Sequence, residues 1–405
     1  MKALQMDARP LRFALAKCFA FLFGRKAYFR GPGRTVKLTE ISEPVLPSPD
    51  WVKLKTILCG FCGSDLNLMM LHDSPGAEPF TSFPCILGHE FIGEIVETGS
   101  NIRNFKNGDR VAVNPGIGCE ARGISEICSE CTVGRISTCQ NHAEGRFPPG
   151  MFLGITKDLN GGFAPFVVVH KSQLFHIPDE LSLDSAVMTE PVSVALQTVF
   201  ENMPLDNEKI LVIGGGVIGN LIVQSVRALD ISCHISVIDP SFIAGKLAVE
   251  LGADEIISPG KAFTKTAEIT GAKIYKPTLG QPVPRGGFNR VYDTVGNSAT
   301  VNLSLRLLKT AGTLSLVGIG ADLKIDPTTL WLKLQTIKGV YGYGHVDFNG
   351  EKHHVFEIAM DLMKQGKINA EKLITHKFRL EEYRQMIAVN MNKGKYNAVK
   401  TIVTF

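Results

Sequence analysis

The sequence lacks long hydrophobic runs, has few aromatic residues and carries no large excess of one charge. Aromatic residues make up 8% of its 405 positions, and 43 lysines and arginines against 39 acidic residues give a formal net charge of +4. No segment reaches the roughly eighteen consecutive apolar residues that a membrane-spanning helix needs. The basic residues are interpreted as dispersed, without a basic run interleaved with aromatic residues, so no nucleic-acid partner is predicted.

The nine cysteines do not indicate a disulfide scaffold, because such scaffolds belong to small secreted proteins. Their clustering instead indicates metal binding in a reducing compartment, and a cytoplasmic location is expected. Hydrophobic residues at 44% and charged residues at 20% are typical of globular proteins. The chain is longer than a single hydrophobic core usually supports, which predicts two domains.

The nearest candidate for a membrane-spanning segment runs from Phe13 to Phe23 and follows Arg9 and Arg12. It is short, contains Lys17 and is not followed by a small-residue cleavage site, so it is not interpreted as a signal sequence. The spacing of its larger side chains predicts an amphipathic helix that packs on the body of the protein, with attachment to a membrane surface as the alternative. The residues assigned to the packed face are Leu11, Leu15, Cys18, Phe19 and Leu22.

A group of residues suited to metal catalysis begins at Cys62. Ser64 and Asp65 follow within three positions, and His89 and Glu90 come 27 and 28 positions after the cysteine. Zinc readily accepts thiolate and imidazole ligands, and a catalytic zinc has three protein ligands and one open position. Cys62 and His89 are therefore candidate ligands, although one cysteine and one histidine are more often core residues than ligands.

A second cysteine cluster lies in the same part of the chain. The residues from Val36 to His176 form short alternating apolar runs broken by prolines, which predicts a mostly β domain. Four cysteines within it have a spacing that suits a closed four-thiolate zinc site, with eight residues, EARGISEI, between the first and the second. These cysteines are Cys119, Cys128, Cys131 and Cys139.

A glycine-rich turn follows the compact apolar strand from Lys209 to Ile213 and fits the pattern GxGxxG. The helix that follows would direct its free backbone amides at a pyrophosphate, and Asp239 ends the next strand twenty residues beyond the last glycine. An acid there binds ribose hydroxyls and repels a 2′-phosphate, so NAD is predicted rather than NADP. The turn residues assigned to the cofactor are Gly214, Gly216, Val217, Ile218 and Gly219.

The pattern after Asp239 alternates between helices and strands as far as Val317, which predicts a doubly wound parallel sheet. The stretch from Pro259 to Gly287 is rich in proline and glycine and is interpreted as a surface loop without a chemical role.

Several segments, in the same order, resemble the zinc-containing medium-chain alcohol dehydrogenases, particularly the polyol and threonine dehydrogenase branch. The resemblance runs from about Val36 to the end of the chain and rests on GFCGSD, GHEFIGEIVETGSNIRNFKNGDRV, TEPVSVAL, VIGGGVIG and DTVGNSATVNLSLRLLKTAGTLSLVG. It implies a mostly-β GroES-like catalytic domain at 1–190, completed by 341–405 and carrying a structural-zinc lobe at 115–142. It also implies a Rossmann domain at 191–340, two zinc ions, NAD, and assembly as a homo-dimer or homo-tetramer.

The resemblance further implies zinc-dependent transfer of a hydride between a secondary alcohol or polyol and NAD. Cys62 and His89 would bind the catalytic zinc, and either Glu90 or Glu190 would be the third ligand. Ser64 would pass on the hydroxyl proton. Family relatives often have a proton-relay histidine where this chain has Asn67, whose amide does not titrate.

Asp65 has two open interpretations: it holds His89 by accepting its other ring N–H, or Ser64 and Asp65 simply cap a helix. Two further hypotheses concern function. The chain could be an NADP(H)-dependent aldehyde, ketone or quinone reductase of the same superfamily, or a non-catalytic NAD-binding protein. Both would usually have lost some of the residues that this chain retains, among them Cys62, His89 and Asp239.

Overall fold

The computed structural model describes residues 1–318 and 322–405, without the side chain of Phe242. The chain divides into two compact units. The first consists of Met1–Glu190, Tyr343–Lys364 and Ala370–Phe405, and the second of Pro191–Gly342 and Gln365–Asn369. Within the described residues, no helix is both long enough and apolar enough to cross a bilayer.

The first unit is mostly β, as the sequence predicts, and a seven-stranded sheet forms its centre. Strand Trp51–Phe61 lies in the middle and nearly all of its side chains are buried, because it pairs with three neighbours. The sheet order is Ile374–Arg379, Lys400–Thr404, Trp51–Phe61, Glu90–Thr98, Arg110–Val113 and Leu174–His176, and Phe166–His170 also pairs with the central strand. A three-stranded sheet contains Val36–Glu40, Lys2–Met6 and Cys85–Ile86, and a hairpin contains His345–Phe348 and Glu351–His354.

The helices of the first unit are short apart from three. The α-helices are Pro10–Phe23, Gly63–Met69, Ser129–Thr132, Leu183–Ala186, Val355–Lys364, Tyr383–Met391 and Lys393–Tyr396. Single 3₁₀ turns lie at Arg25–Tyr28, Pro75–Phe80, Ile136–Thr138, Lys171–Gln173, Glu371–Leu373 and Leu380–Glu382.

The N-terminal helix Pro10–Phe23 forms where the sequence predicts it, but the predicted packing is wrong. Leu11, Leu15, Cys18 and Leu22 are exposed, with Leu11 76% and Leu22 63% accessible. Phe19 alone of the predicted face is half-buried. The helix packs instead through Ala16, whose small side chain allows close approach to Tyr28 and Met70.

The second unit is built on six parallel strands, which confirms the predicted doubly wound sheet. Their order is Glu255–Ile257, His234–Ile238, Lys209–Ile213, Phe288–Asp293, Leu308–Leu316 and Thr336–Gly339, the order of a Rossmann fold. Strand Lys209–Ile213 is almost completely buried, as expected for a parallel strand covered on both faces. The helices are Thr189–Glu201, Val217–Ala228, Phe242–Glu250, Ala262–Thr270, Ser298–Leu307 and Thr328–Leu332.

The predicted loop at 259–287 is wrong. The segment contains a 3₁₀ turn at Pro259–Lys261, helix Ala262–Thr270, and an antiparallel hairpin of Lys273–Tyr275 and Val283–Arg285. Gly271, at φ 72°, ends the helix in the left-handed conformation, so this glycine marks a helix end rather than a disordered stretch.

Candidate functional site

The helix that follows the central strand positions the first candidate ligand. Cys62 is the N-cap of helix Gly63–Met69, and its backbone N–H donates to Asp65 Oδ2 at 2.9 Å. An acid in the first turn of a helix satisfies a free amide and favours the positive end of the helix dipole. The alternative in which Ser64 or Asp65 is itself the N-cap is wrong, because both lie inside the first turn.

His89 is held between two side chains of that same helix. Its Nδ1 lies 3.4 Å from Asp65 Oδ1, and its Nε2 lies 3.3 Å from Ser64 Oγ. The ring also contacts Phe152, with centroids 5.1 Å apart, and only 8% of the residue is exposed. The preceding Gly88 has φ 95°, and a Cβ there would press on Cys59 and Phe163, so a glycine lets the histidine enter this packed region.

The structure brings three potential metal ligands together. The thiol of Cys62, a ring nitrogen of His89 and a carboxylate oxygen of Glu90 all lie within 4.8 Å of one another. Thiolate sulfur, imidazole nitrogen and carboxylate oxygen are all zinc ligands, and a catalytic zinc has three protein ligands with a fourth position left for water or substrate. The Asp65 contact at Nδ1 leaves Nε2 as the nitrogen that faces this cluster.

Lys400 is a site residue that the sequence analysis missed. Its ammonium contacts Glu90 Oε2 and lies 3.4 Å from the carbonyl of Phe61, and both charged side chains are at most 3% exposed. Burial lowers the pKa of Lys400, but the negative charges of Glu90, Cys62 and Glu190 together with the hydrogen bond to Glu90 raise it overall. A lysine 310 positions from its partner gives no sequence signal; only the pairing of strands Lys400–Thr404 and Trp51–Phe61 brings it to Glu90.

Glu190, the other predicted acid, lies outside this group of three. It is the second residue of helix Thr189–Glu201. Burial, followed by the negative charge of Glu90, raises the pKa of Glu190 to about 7, while His89, Lys400 and a hydrogen bond with Tyr343 oppose that rise. Glu190 is therefore close enough to the cluster to interact with its charges.

The four predicted thiols also converge. The Sγ atoms of Cys119 and Cys139 are 3.6 Å apart, and those of Cys128 and Cys139 are 3.9 Å apart. Together with the Sγ atom of Cys131, these sulfurs all lie within 4.8 Å of one another. Tetrahedral zinc with Zn–S bonds of about 2.3 Å places its sulfurs about 3.8 Å apart, so the geometry fits. Backbone amides of Cys119, Cys128, Gln140 and Asn141 donate to these sulfurs.

The eight-residue segment between the first two cysteines is anchored by Arg122. This arginine is fully buried, and its guanidinium donates to four backbone carbonyls at 2.6–3.3 Å. The carbonyls belong to Glu144, Phe147, Pro148 and Gly150. The eight-residue segment is thus tied to the loop that follows Cys139, and this connection keeps Cys119 in the cluster.

The glycine turn of the second unit has the features of a dinucleotide site. Gly214 has φ 99°, and a Cβ on Gly219 would overlap the carbonyl oxygen of Gly214, so both positions require glycine. Gly216 caps helix Val217–Ala228, and no heavy atom lies within 4 Å of where its Cβ would be. That open space lies at the helix N-terminus, where a phosphate binds.

Three predicted cofactor residues accompany these glycines. Val217 and Ile218 form the first turn of the helix and are half-buried. Asp239 directly follows strand His234–Ile238, and its Oδ2 accepts a hydrogen bond from the backbone N–H of Gly215 at 2.7 Å. The carboxylate therefore lies beside the turn, as recognition of a ribose requires.

Comparisons with known proteins agree with this arrangement. Residues 48–179 match the alcohol dehydrogenase GroES-like domain, and residues 217–365 match the zinc-binding dehydrogenase domain. The (R,R)-butanediol dehydrogenase of Bacillus subtilis is 30% identical over 362 residues, which cover 86% of this chain and 91% of that enzyme. The chain belongs to the zinc-containing medium-chain alcohol dehydrogenase family.

Within this alcohol dehydrogenase family, the relatives place the chain in the polyol-type branch. Galactitol 1-phosphate 5-dehydrogenase of Escherichia coli is 28% identical over 368 residues, covering 89% of this chain and 95% of the relative. A zinc-binding dehydrogenase from Sinorhizobium meliloti, solved bound to NADP, superposes with a TM-score of 0.70 at 28% identity, covering 91% of this chain and 95% of that chain. The predicted family, the GroES-like and Rossmann folds, and the alcohol or polyol dehydrogenase class are confirmed.

Proposed function

We propose that the chain is a zinc- and NAD-dependent dehydrogenase that oxidises a secondary alcohol or polyol and reduces the corresponding ketone. The convergence of Cys62, His89 and Glu90 carries the proposal, because the site retains a complete set of three ligands next to the hydroxyl of Ser64. A non-catalytic relative would not be expected to keep both the three ligands and the Ser64 hydroxyl. In this proposal 1–190 and 341–405 form the catalytic domain, and 191–340 bind NAD.

The third ligand of the catalytic zinc is proposed to be Glu90. Its carboxylate lies with Cys62 and His89, and Lys400 contacts one of its oxygens from the side. A carboxylate can bind a metal and a lysine at once because it has two oxygens with several lone pairs. Glu190 would act from outside the ligand set, as an acid close enough to interact with the charges of Glu90, His89 and Lys400.

When bound, zinc supplies a Lewis acid and NAD the hydride acceptor. The chain's own residues position the reactants and move the proton. Ser64 Oγ, 3.3 Å from His89 Nε2, is placed to accept the proton of a substrate hydroxyl while it releases its own hydroxyl proton to water. Asp65 keeps His89 in the tautomer with hydrogen on Nδ1, which fixes the orientation of the ring.

The four-cysteine cluster is proposed to bind a second, structural zinc. Four thiolates leave no open position for substrate, and backbone amides already satisfy several of the sulfurs. Its function would be to hold together the lobe at 115–142. Assembly as a dimer or tetramer remains a prediction from the resemblance, and a cytoplasmic location remains a prediction from the clustering of the cysteines.

NAD is proposed as the preferred cofactor because Asp239 would repel the 2′-phosphate of NADP. NADP is the second candidate, since the Sinorhizobium meliloti relative was solved bound to it. Substitution Asp239→Ser separates the two: we expect kcat/KM for NAD to fall by about tenfold or more, and the ratio of NAD to NADP turnover to fall with it. An unchanged ratio would show that Asp239 does not select the cofactor.

The experiment that tests the function is NADH formation, followed by absorbance, over a panel of secondary alcohols, polyols, threonine and primary alcohols. NAD and NADP are compared in parallel, with Cys62→Ala as the inactive control and Cys18→Ala, an exposed thiol outside the site, as the matched control. We expect turnover with a secondary alcohol or polyol that is lost only in Cys62→Ala. Equal turnover in both variants would contradict the proposed metal site.

A further inference from the structure

The N-terminal segment 9–37 is unlike the rest of the molecule in its charge. It contains eight basic residues and no acidic residue, although the whole chain has a net charge of only +4. The prediction that basic residues are dispersed is therefore wrong for this segment. The basic residues are Arg9, Arg12, Lys17, Arg25, Lys26, Arg30, Arg34 and Lys37.

These charges are largely uncompensated. Among the residues that the structure describes, Asp7 is the one carboxylate in ion-pair contact with the segment, through Arg9. Lys17 donates instead to the carbonyl of Leu71, and the guanidinium of Arg30 lies over the ring of Phe29. Arg12, Arg34 and Lys37 line a small cleft of about 60 Å³ beside the start of the helix, and Asp7 lines it too. Three positive side chains and one carboxylate leave the cleft with an excess of positive charge.

The same segment exposes large apolar side chains. Leu11, Leu15 and Leu22 recur at helical spacing and so lie on one face of helix Pro10–Phe23, and that face points to solvent. Phe21 is 90% exposed and Phe23 is 70% exposed at the end of the helix. A contiguous exposed apolar face of this kind marks an interaction surface rather than ordinary surface composition.

The combination of apolar and basic side chains decides the partner. We propose that the segment 9–37 binds the surface of an anionic phospholipid bilayer, with Leu11, Leu15, Phe21, Leu22 and Phe23 inserted among the acyl chains and the basic residues at the headgroups. Helices that lie in a membrane interface combine these two features, and anionic lipids attract nearby lysines and arginines. The proposal does not depend on the enzymatic activity.

A second copy of the chain fits this surface less well. A two-fold symmetric interface brings the same patch of both subunits together, so eight basic residues would face eight others without an acid between them. Nucleic acid would use the positive charge and could stack bases on Phe21 and Phe23, but it would leave the exposed face of Leu11, Leu15 and Leu22 in water. A bilayer with anionic headgroups satisfies both the charge and the apolar face.

The proposed membrane-binding surface lies next to the proposed active site. Ala16 and Ala20 of the N-terminal helix pack against Leu66, Met70 and Leu71, which belong to or directly follow helix Gly63–Met69. That helix carries Ser64 and Asp65. The bilayer would therefore contact an element one layer away from the catalytic residues.

The test is vesicle co-sedimentation with the full chain. Wild type is mixed with vesicles of phosphatidylcholine alone and with vesicles that also contain phosphatidylglycerol, at low and high salt. Two variants remove the two contributions separately: Phe21→Ser with Leu22→Ser and Phe23→Ser, and Arg25→Gln with Lys26→Gln. Matched controls are Leu279→Ser, at a site 88% exposed, and Lys276→Gln. Melting temperatures verify that every variant is folded.

We expect wild type to bind the anionic vesicles about tenfold more strongly than the neutral ones, with binding weakened by salt. Each test variant should lose about tenfold or more in binding, whereas the controls should match wild type. The proposal is overturned if wild type ignores anionic vesicles or if both test variants bind as wild type does. It is equally overturned if the variants only change the oligomeric mass in light scattering, or if wild type binds double-stranded DNA but not vesicles.

Discussion

Individual residues of the active site differ in how far the sequence could identify them. Cys62, Ser64 and His89 stand in recognisable motifs, and the structure brings them together. The choice between Glu90 and Glu190 could not be made from sequence because both acids lie in matching motifs. The proposal of Glu90 rests on the distances in the structure, where Glu90 lies close to Cys62 and His89. Lys400 was missed altogether, since a single lysine in a strand has no distinguishing pattern.

The proposed ligand role of Glu90 can be tested against Glu190 as its matched control. Glu90→Gln and Glu190→Gln make the same chemical change at a buried acid and at a half-buried acid near the same cluster. We expect Glu90→Gln to lose the catalytic zinc, because an amide is a poor ligand for it, and Glu190→Gln to retain zinc with reduced turnover. Zinc content by mass spectrometry or atomic absorption distinguishes them. Loss of zinc only in Glu190→Gln would reverse the assignment.

The buried ion pair between Lys400 and Glu90 should matter for stability as well. Lys400→Met leaves a buried carboxylate without its partner, so we expect the free energy of unfolding to fall by about 3–5 kcal/mol in the zinc-free protein. The control Lys377→Met removes a half-exposed pair with Asp184 and should cost about 0–1 kcal/mol. Chemical denaturation in the presence of a chelator measures both. Equal losses would show that the buried pair has no special role.

At the scale of helices and strands, the sequence predicted the second unit well. Strand Lys209–Ile213 has the predicted bounds, because a compact apolar run flanked by turn residues leaves few alternatives. The hairpin of Lys273–Tyr275 and Val283–Arg285 was missed, since its three-residue strands are half-polar and a proline lies inside one of them.

The N-terminal helix shows a different limit of prediction. Its apolar spacing correctly indicated a helix with an apolar face. Such spacing does not show whether that face packs on the protein or is exposed to solvent. The structure packs the opposite side through Ala16 and Ala20 and leaves the leucines exposed. A binding partner outside the chain cannot be inferred from helical periodicity alone.

The cysteine lobe offers a prediction about a single element. Arg122 is the side chain that ties the segment between Cys119 and Cys128 to the following loop through four carbonyls. Arg122→Met leaves these carbonyls buried without a donor, so we expect the free energy of unfolding to fall by about 2–4 kcal/mol and the lobe to release zinc more readily. Arg103→Met removes exposed hydrogen bonds to carbonyls and is the control. Similar zinc release from both variants would contradict the anchoring role.

At the scale of the whole molecule, the family, the fold of both units and the enzyme class follow from motif order and are supported by the comparisons. Substrate identity does not follow. The relatives act on different alcohols, as butanediol and galactitol 1-phosphate show, and they do so on one fold. Among the described residues, the first unit contains two groups of potential metal ligands with different chemistry, one of three mixed ligands and one of four thiols.

The most direct test of this account is the zinc content per chain, measured together with NADH formation, in wild type, Cys62→Ala and Cys131→Ala. The account predicts two zinc ions in wild type and one in each variant. Cys62→Ala should be folded but inactive, and Cys131→Ala should be less stable while it retains its catalytic zinc. Two zinc ions in Cys62→Ala, or undiminished turnover after its zinc is lost, would contradict the central claim that Cys62 holds the catalytic metal.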